Sequence, residues 1–152
     1  NAIPPIISVV AMILWSRHSD KTNERTWHVA LACLTAAVGL AIAASTGSMF
    51  GLIAALTIVN VGISCSKPPL WSMPTMFLSG AAAATGIATI NSIGNLGGFA
   101  GPAMIGWVKD QTGSFAGGLY FVAGLLILST VLTLVLSFTQ KNKANSAELS
   151  NS

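Results

Sequence analysis

Cys65-Ser66-Lys67-Pro68-Pro69-Leu70-Trp71, written CSKPPLW, interrupts a long apolar run with one cation and two adjacent prolines. Lys67 is the only charged side chain between residues 29 and 108. The stretch is either a loop between two short spans or the inside of one long helix. That choice sets the number of membrane crossings, and with it the fold.

Composition gives the class. Hydrophobic residues make up 53% of the 152 positions and charged residues 7%, with a mean hydropathy of +0.73. A soluble domain carries roughly 25% charged residues, because its surface faces water. The chain therefore reads as an all-α integral membrane protein. Asn1 opens it with neither a basic stretch nor a small-residue cleavage site, so a signal peptide is a poor reading. The expectation is a C-terminal piece whose upstream part is missing. Cys33 and Cys65 lie in apolar runs without a spacing motif, giving no case for a metal, a disulfide or a cofactor. The net charge of +3 comes from polar segments and forms no extended basic face, which speaks against nucleic acid.

A helix needs about 20 apolar residues to cross the hydrocarbon core. Spans are predicted over 2–15, 29–45, 49–83, 85–108 and 115–138, the first being only the end of a helix. Residues 139–152 read as a disordered polar tail. The segment 16–28 carries Arg17, Lys21 and Arg25, and the tail carries Lys141 and Lys143. The positive-inside rule puts both in the cytoplasm and demands an even number of crossings between them. One long helix over 49–83 satisfies this and two short ones do not. CSKPPLW then lies near mid-membrane inside a helix that its prolines break. Freed backbone groups at that depth survive only beside protein or a water-filled cavity.

At 100° per residue, Thr57, Asn60, Ser64, Lys67 and Trp71 fall within about 80° of one another. For Asn60 or Ser64 alone, a helix–helix hydrogen bond is an equally good reading. A cation at this depth costs several kcal/mol unless paired or hydrated, which makes Lys67 a functional candidate. The next span repeats the pattern, with Asn91, Gly94, Asn95, Gly98 and Pro102 on one face and Ile93, Leu96, Ala100, Met104 and Trp107 opposite. Gly94/Gly98 and Gly97/Gly101 read as close helix packing. Lys67, Trp71, Asn91, Asn95 and Asn60 together suit an organic anion. The cation takes a carboxylate, while amides and the indole N–H take hydroxyls. Asp20, Glu24, Asp110 and Glu148 all lie outside the spans, so if transport is proton-coupled, the acid that carries the proton is expected in the upstream part.

The loop 16–25 resembles a degenerate copy of the signature G-x-x-x-D-R/K-x-G-R/K-R/K of the major facilitator superfamily. Asp20, Lys21 and Arg25 match it; Ser16, Asn23 and Glu24 depart from it. Asn23 replaces a glycine and tolerates the left-handed turn. More specifically, KPPLWSMPTMFLSGAAAATGIATINSIGNLGGFAGPAMIGWVKDQTGSF, residues 67–115, is similar to the tenth-to-eleventh helix region of the anion:cation symporter family. Its members carry sugar acids, tartrate, phthalate and related carboxylates. The resemblance implies the last part of helix 8 plus helices 9–12 of a twelve-helix fold, without the N-terminal six-helix half. It also implies a multi-pass protein of the bacterial inner membrane, with a cytoplasmic C-terminus, monomeric when complete. The implied activity is proton symport of a small carboxylate by alternating access, with Trp71 and Asn91 facing the substrate. Asp20 and Arg25 would pair with neighbouring helix ends; a solvated positive-inside anchor explains that loop equally well. The competing reading is a truncated, non-transporting membrane piece from an incomplete gene. An intramembrane enzyme ranks far below, because His18 and His28 sit in an interfacial loop and no acid lies within a span.

Overall fold

The computed structural model describes the backbone of residues 3–150 and the side chains of residues 5–76 and 78–139. Five helices follow one another: α1 (Ile3–Thr22), α2 (Arg25–Ser45), α3 (Met49–Phe77), α4 (Gly80–Thr112) and α5 (Phe115–Ser150). A helix satisfies its own backbone polar groups, which is what an apolar surrounding requires. Among the described residues, α2, Met49–Met76 of α3 and Phe115–Thr139 of α5 are long and apolar enough to cross a membrane. The chain is multi-pass. α4 is not in that set, because asparagines and glycines dilute its apolar content.

CSKPPLW lies inside α3, and four helices separate the first turn from the C-terminal segment. Pro68, Pro69 and Pro74 are all within a continuous helix, so the expected break at Pro68-Pro69 does not occur. A proline withdraws one N–H but leaves its own φ compatible with helix. The interruption falls later, at Leu78 and Ser79, which are extended, and at Gly80, whose φ is +58°. The apolar run read as 49–83 thus divides at residue 78, and α4 begins five residues before the span predicted from 85. Hydropathy does not register that boundary, because LSGAAAA is as apolar as its surroundings.

Two other segments differ from expectation. The polar stretch 16–28 is helical except for Asn23 and Glu24, where Asn23 takes φ 53°, the left-handed conformation expected of it. The backbone of α5 stays helical to Ser150 rather than losing structure at 139. No proline or glycine follows Gly124 to stop it. The tail side chains from residue 140 lie outside the described residues.

α2 is the hub. It packs on α3 and α5, while α1 lies mainly against α3 and α4 leans mainly on α5. The α2–α3 crossing is close because its residues are small: Ala36 and Ala55 are fully buried. A Cβ built on Gly62 would lie 2.6 Å from Ala36 N and 2.7 Å from Ala32 O. On α5, Ala123 joins Ala37, Leu40 and Val59 in the core, and Thr130 Oγ1 donates to Ala30 O at 3.4 Å. Gly113 closes α4 in the left-handed conformation, its N–H donating to Lys109 O at 2.7 Å.

Candidate functional site

Lys67 stands on α3 four residues past the helix midpoint at residue 63, about 6 Å along the axis at 1.5 Å per residue. Its side chain is exposed. Helix continuity across the prolines has a local consequence. With no N–H at 68, 69 and 74, the carbonyls of Ser64, Cys65 and Leu70 lose their i+4 donors. Carbonyls without their usual helix donors therefore neighbour Lys67, the one charged residue between 29 and 108. Asn60 is exposed one turn before Ser64, its Nδ2 donating to Leu56 O at 2.9 Å.

Trp71 is 37% exposed. It lines a cleft of about 260 Å³ at the α2 N-terminal end of the bundle, with Ile90 of α4, Thr133 and Ser137 of α5, and Thr26 of α2. The neighbour of Ile90 is Asn91, which is exposed along with Asn95, Gly94 and Gly98. α4 has no buried residue. Its opposite face is equally bare, with Ile93 64% and Leu96 70% exposed. Among the described residues, no hydrogen bond joins the side chains of Lys67, Trp71, Asn91 and Asn95 to one another. Two stripes on α3 and α4 stand open, with Trp71 and Ile90 meeting at one cleft.

Gly94, Gly97, Gly98 and Gly101 have nothing within 4 Å of an added Cβ. The regular glycine spacing in α4 is therefore not the packing seam of these five helices. The seam uses Gly39 and Gly62, which the spacing argument passed over.

At the end of α1, Arg25 Nη2 lies 3.8 Å from Asp20 Oδ1. The two charges pair with each other across the α1–α2 turn, rather than each with a separate helix end. Asp20 is 65% exposed, so the pair is worth at most about 1 kcal/mol. Lys21 sits in the last turn of α1, where the helix dipole favours a cation. What the sequence reading missed is beside it. His28 is 6% exposed, in the first turn of α2, and its Nε2 lies 2.8 Å from His18 Nδ1. Both fall in the stretch taken as an interfacial loop. The only signal was two histidines astride a two-residue turn.

No family model matches the chain, and no solved structure matches it. Two Agrobacterium vitis proteins, each named "Putative tartrate transporter", are 74% and 75% identical to it, over 91% and 90% of the chain. The matched segments are 32% and 30% of those two proteins. The "Quinolone resistance transporter" of Acinetobacter baumannii is 36% identical over 89% of the chain and 31% of its own length. The chain thus spans about a third of the length of the relatives it matches.

Proposed function

We propose that the chain is part of a membrane transporter of the kind these relatives represent, and that it takes part in moving a small hydroxylated carboxylate, of the tartrate or sugar-acid class, across the membrane. The observation that carries this is the pairing of 74% identity to a protein named for tartrate with a lone cation among 80 otherwise uncharged positions, residues 29–108. In this reading α1 is the last part of helix 8 and α2–α5 are helices 9–12 of a twelve-helix major facilitator fold. The α1–α2 turn and the C-terminus face the cytoplasm of the inner membrane.

Lys67 neutralises a substrate carboxylate. Asn91, Asn95 and Asn60 offer amide donors and acceptors to hydroxyls, and Trp71 supplies an indole N–H and an apolar wall. The open stripes on α3 and α4 face a central cavity, closed on its far side by the six helices of an N-terminal half. Rocking of the two halves gives alternating access, and a carboxyl group outside this chain carries the coupled proton. Transport is then a property of the assembled protein, and the chain by itself carries nothing.

Uptake of labelled tartrate and of a sugar acid into proteoliposomes tests this, with Lys67→Ala and Lys67→Arg in the full-length protein. Uptake is expected to vanish for the alanine variant and to persist in part for the arginine variant. Unchanged uptake by Lys67→Ala would refute the cation's role. Uptake by the 152-residue chain alone would refute the need for both halves.

A further inference from the structure

We propose that the cleft beside Trp71 is a subsite for the uncharged, hydroxyl-bearing end of a longer monocarboxylate whose carboxylate is held at Lys67. This rests on the carboxylate reading given above. The cleft has a volume of about 260 Å³ and no charged residue in its wall. Leu70 and Pro74 of α3 both line it. Pro74 stands inside the helix and has no N–H, so the Leu70 carbonyl between them lacks its usual donor. A carbonyl left without a partner against a mainly apolar wall is costly. A ligand that brings a donor into the cleft removes that cost.

Thr26 of α2 and Thr133 and Ser137 of α5 add three hydroxyls to the same wall. Thr133 Oγ1 already donates to Ser129 O at 2.8 Å, so toward the cleft it accepts. The hydroxyls of Thr26 and Ser137 make no hydrogen bond among the described residues, and each can donate or accept. Trp71 brings an indole N–H and an apolar ring face. The wall therefore holds two acceptors in need of donors, two groups that do either, and one donor. Alcohol groups answer all of them, because each hydroxyl both donates and accepts. A carboxylate only accepts. It would have no proton for the Leu70 carbonyl or Thr133 Oγ1, and no cation in the wall would offset its desolvation.

Placement selects chain length. Trp71 lies one turn past Lys67, about 6 Å along the axis at 1.5 Å per residue, and Pro74 about 4.5 Å beyond it. A four-carbon acid anchored at Lys67 ends before the cleft, whereas an extended six-carbon acid puts its last hydroxyls into it. Tartrate, short and charged at both ends, thus binds without the cleft. A six-carbon aldonic acid such as gluconate uses it.

The experiment is uptake of labelled tartrate by the full-length protein in proteoliposomes, with unlabelled gluconate as competitor, in the parent, Pro74→Ala and Ser137→Ala. Alanine at 74 restores an N–H to the Leu70 carbonyl and withdraws that carbonyl from the ligand, while favouring the helix. Its melting temperature should therefore equal or exceed the parent's. Each variant is expected to weaken inhibition by gluconate about two- to tenfold, the loss of one hydrogen bond, with the KM for tartrate unchanged. A merely structural role would shift both acids alike, and that result would overturn the proposal. So would gluconate inhibition that neither variant moves, or gluconate that does not compete in the parent. Lys67→Ala in the same assay keeps the two readings apart. Tartrate uptake that survives it refutes the cation's role; uptake lost there, with gluconate inhibition unmoved by the cleft variants, refutes the subsite alone.

Discussion

Gly62→Ala puts the α2–α3 crossing to a direct test. The added Cβ would stand 2.6 Å from Ala36 N, 2.7 Å from Ala32 O and 2.9 Å from Ala36 Cβ. Two of these neighbours are backbone atoms of α2, so no rotamer change relieves them. Ordinary contact begins at 3.4 Å, and 3.4 − 2.6 leaves 0.8 Å by which the two helices must separate locally. Overpacking of this kind costs about 1–3 kcal/mol. Alanine returns up to about 1 kcal/mol through its better helix propensity, so with the full return the net loss is roughly 0–2 kcal/mol. Association of membrane helices relies on such close packing, since lipid offers no hydrophobic drive between them. The assay is thermal unfolding of the purified protein in detergent, followed by size-exclusion recovery. Gly62→Ala should melt below the parent. Gly39→Ala, whose Cβ meets Val59 Cγ2 at 2.8 Å and Val59 N at 2.9 Å, should do the same. Because both lie on one interface, the double variant should not show the sum of the two losses. If Gly62→Ala melts with or above the parent, the crossing is looser than described and the reasoning fails.

In transport assays, Trp71→Ala and Asn91→Ala are expected to raise the apparent KM for a carboxylate by about tenfold, the loss of one hydrogen bond of about 1.4 kcal/mol. Leu132→Ala, on an outward face of α5 that is 53% exposed, should leave KM and rate unchanged; an effect as large as that of Asn91→Ala would place the site elsewhere. Gly113→Ala forces an alanine into φ +70° and should lower the melting temperature by the equivalent of about 1 kcal/mol. A melting temperature equal to the parent's would mean that the turn adjusts without strain.

Much of the architecture was legible because membrane helices announce themselves by length and charge topology. Lys67 inside a single helix followed from counting crossings between Arg17, Lys21 and Arg25 on one side and Lys141 and Lys143 on the other. The end of that helix was not legible: hydropathy treats LSGAAAA as more of the same, while the backbone turns at Ser79 and Gly80. The packing glycines were hidden for a related reason. Gly94, Gly97, Gly98 and Gly101 have the regular spacing that sequence reading rewards, whereas Gly39 and Gly62 stand alone among alanines and matter through which residues they face. The stripe on α3 could be drawn from periodicity, since the angle between residues is fixed by the helix. The His18–His28 contact could not, because it depends on how two helices cross beyond a two-residue turn.

α4 is held near both ends and unsupported at its centre. At its start, Leu78 closes against Gly86, whose Cβ would lie 2.8 Å from Leu78 Cδ1. At its finish, Ile105 and Val108 sit against Gly118 and Gly117, and Lys109 Nζ rests 4.3 Å over the Phe115 ring. Between these contacts lie Gly94, Gly97, Gly98 and Gly101, and then Pro102. Each glycine weakens a helix by about 1 kcal/mol relative to alanine, so the middle of α4 forgoes roughly 4 kcal/mol of helix propensity. Pro102 also removes the donor that would hold the Gly98 carbonyl. The middle of α4, next to Asn91 and Asn95, is therefore where the helix holds its form with least support from propensity or from packing.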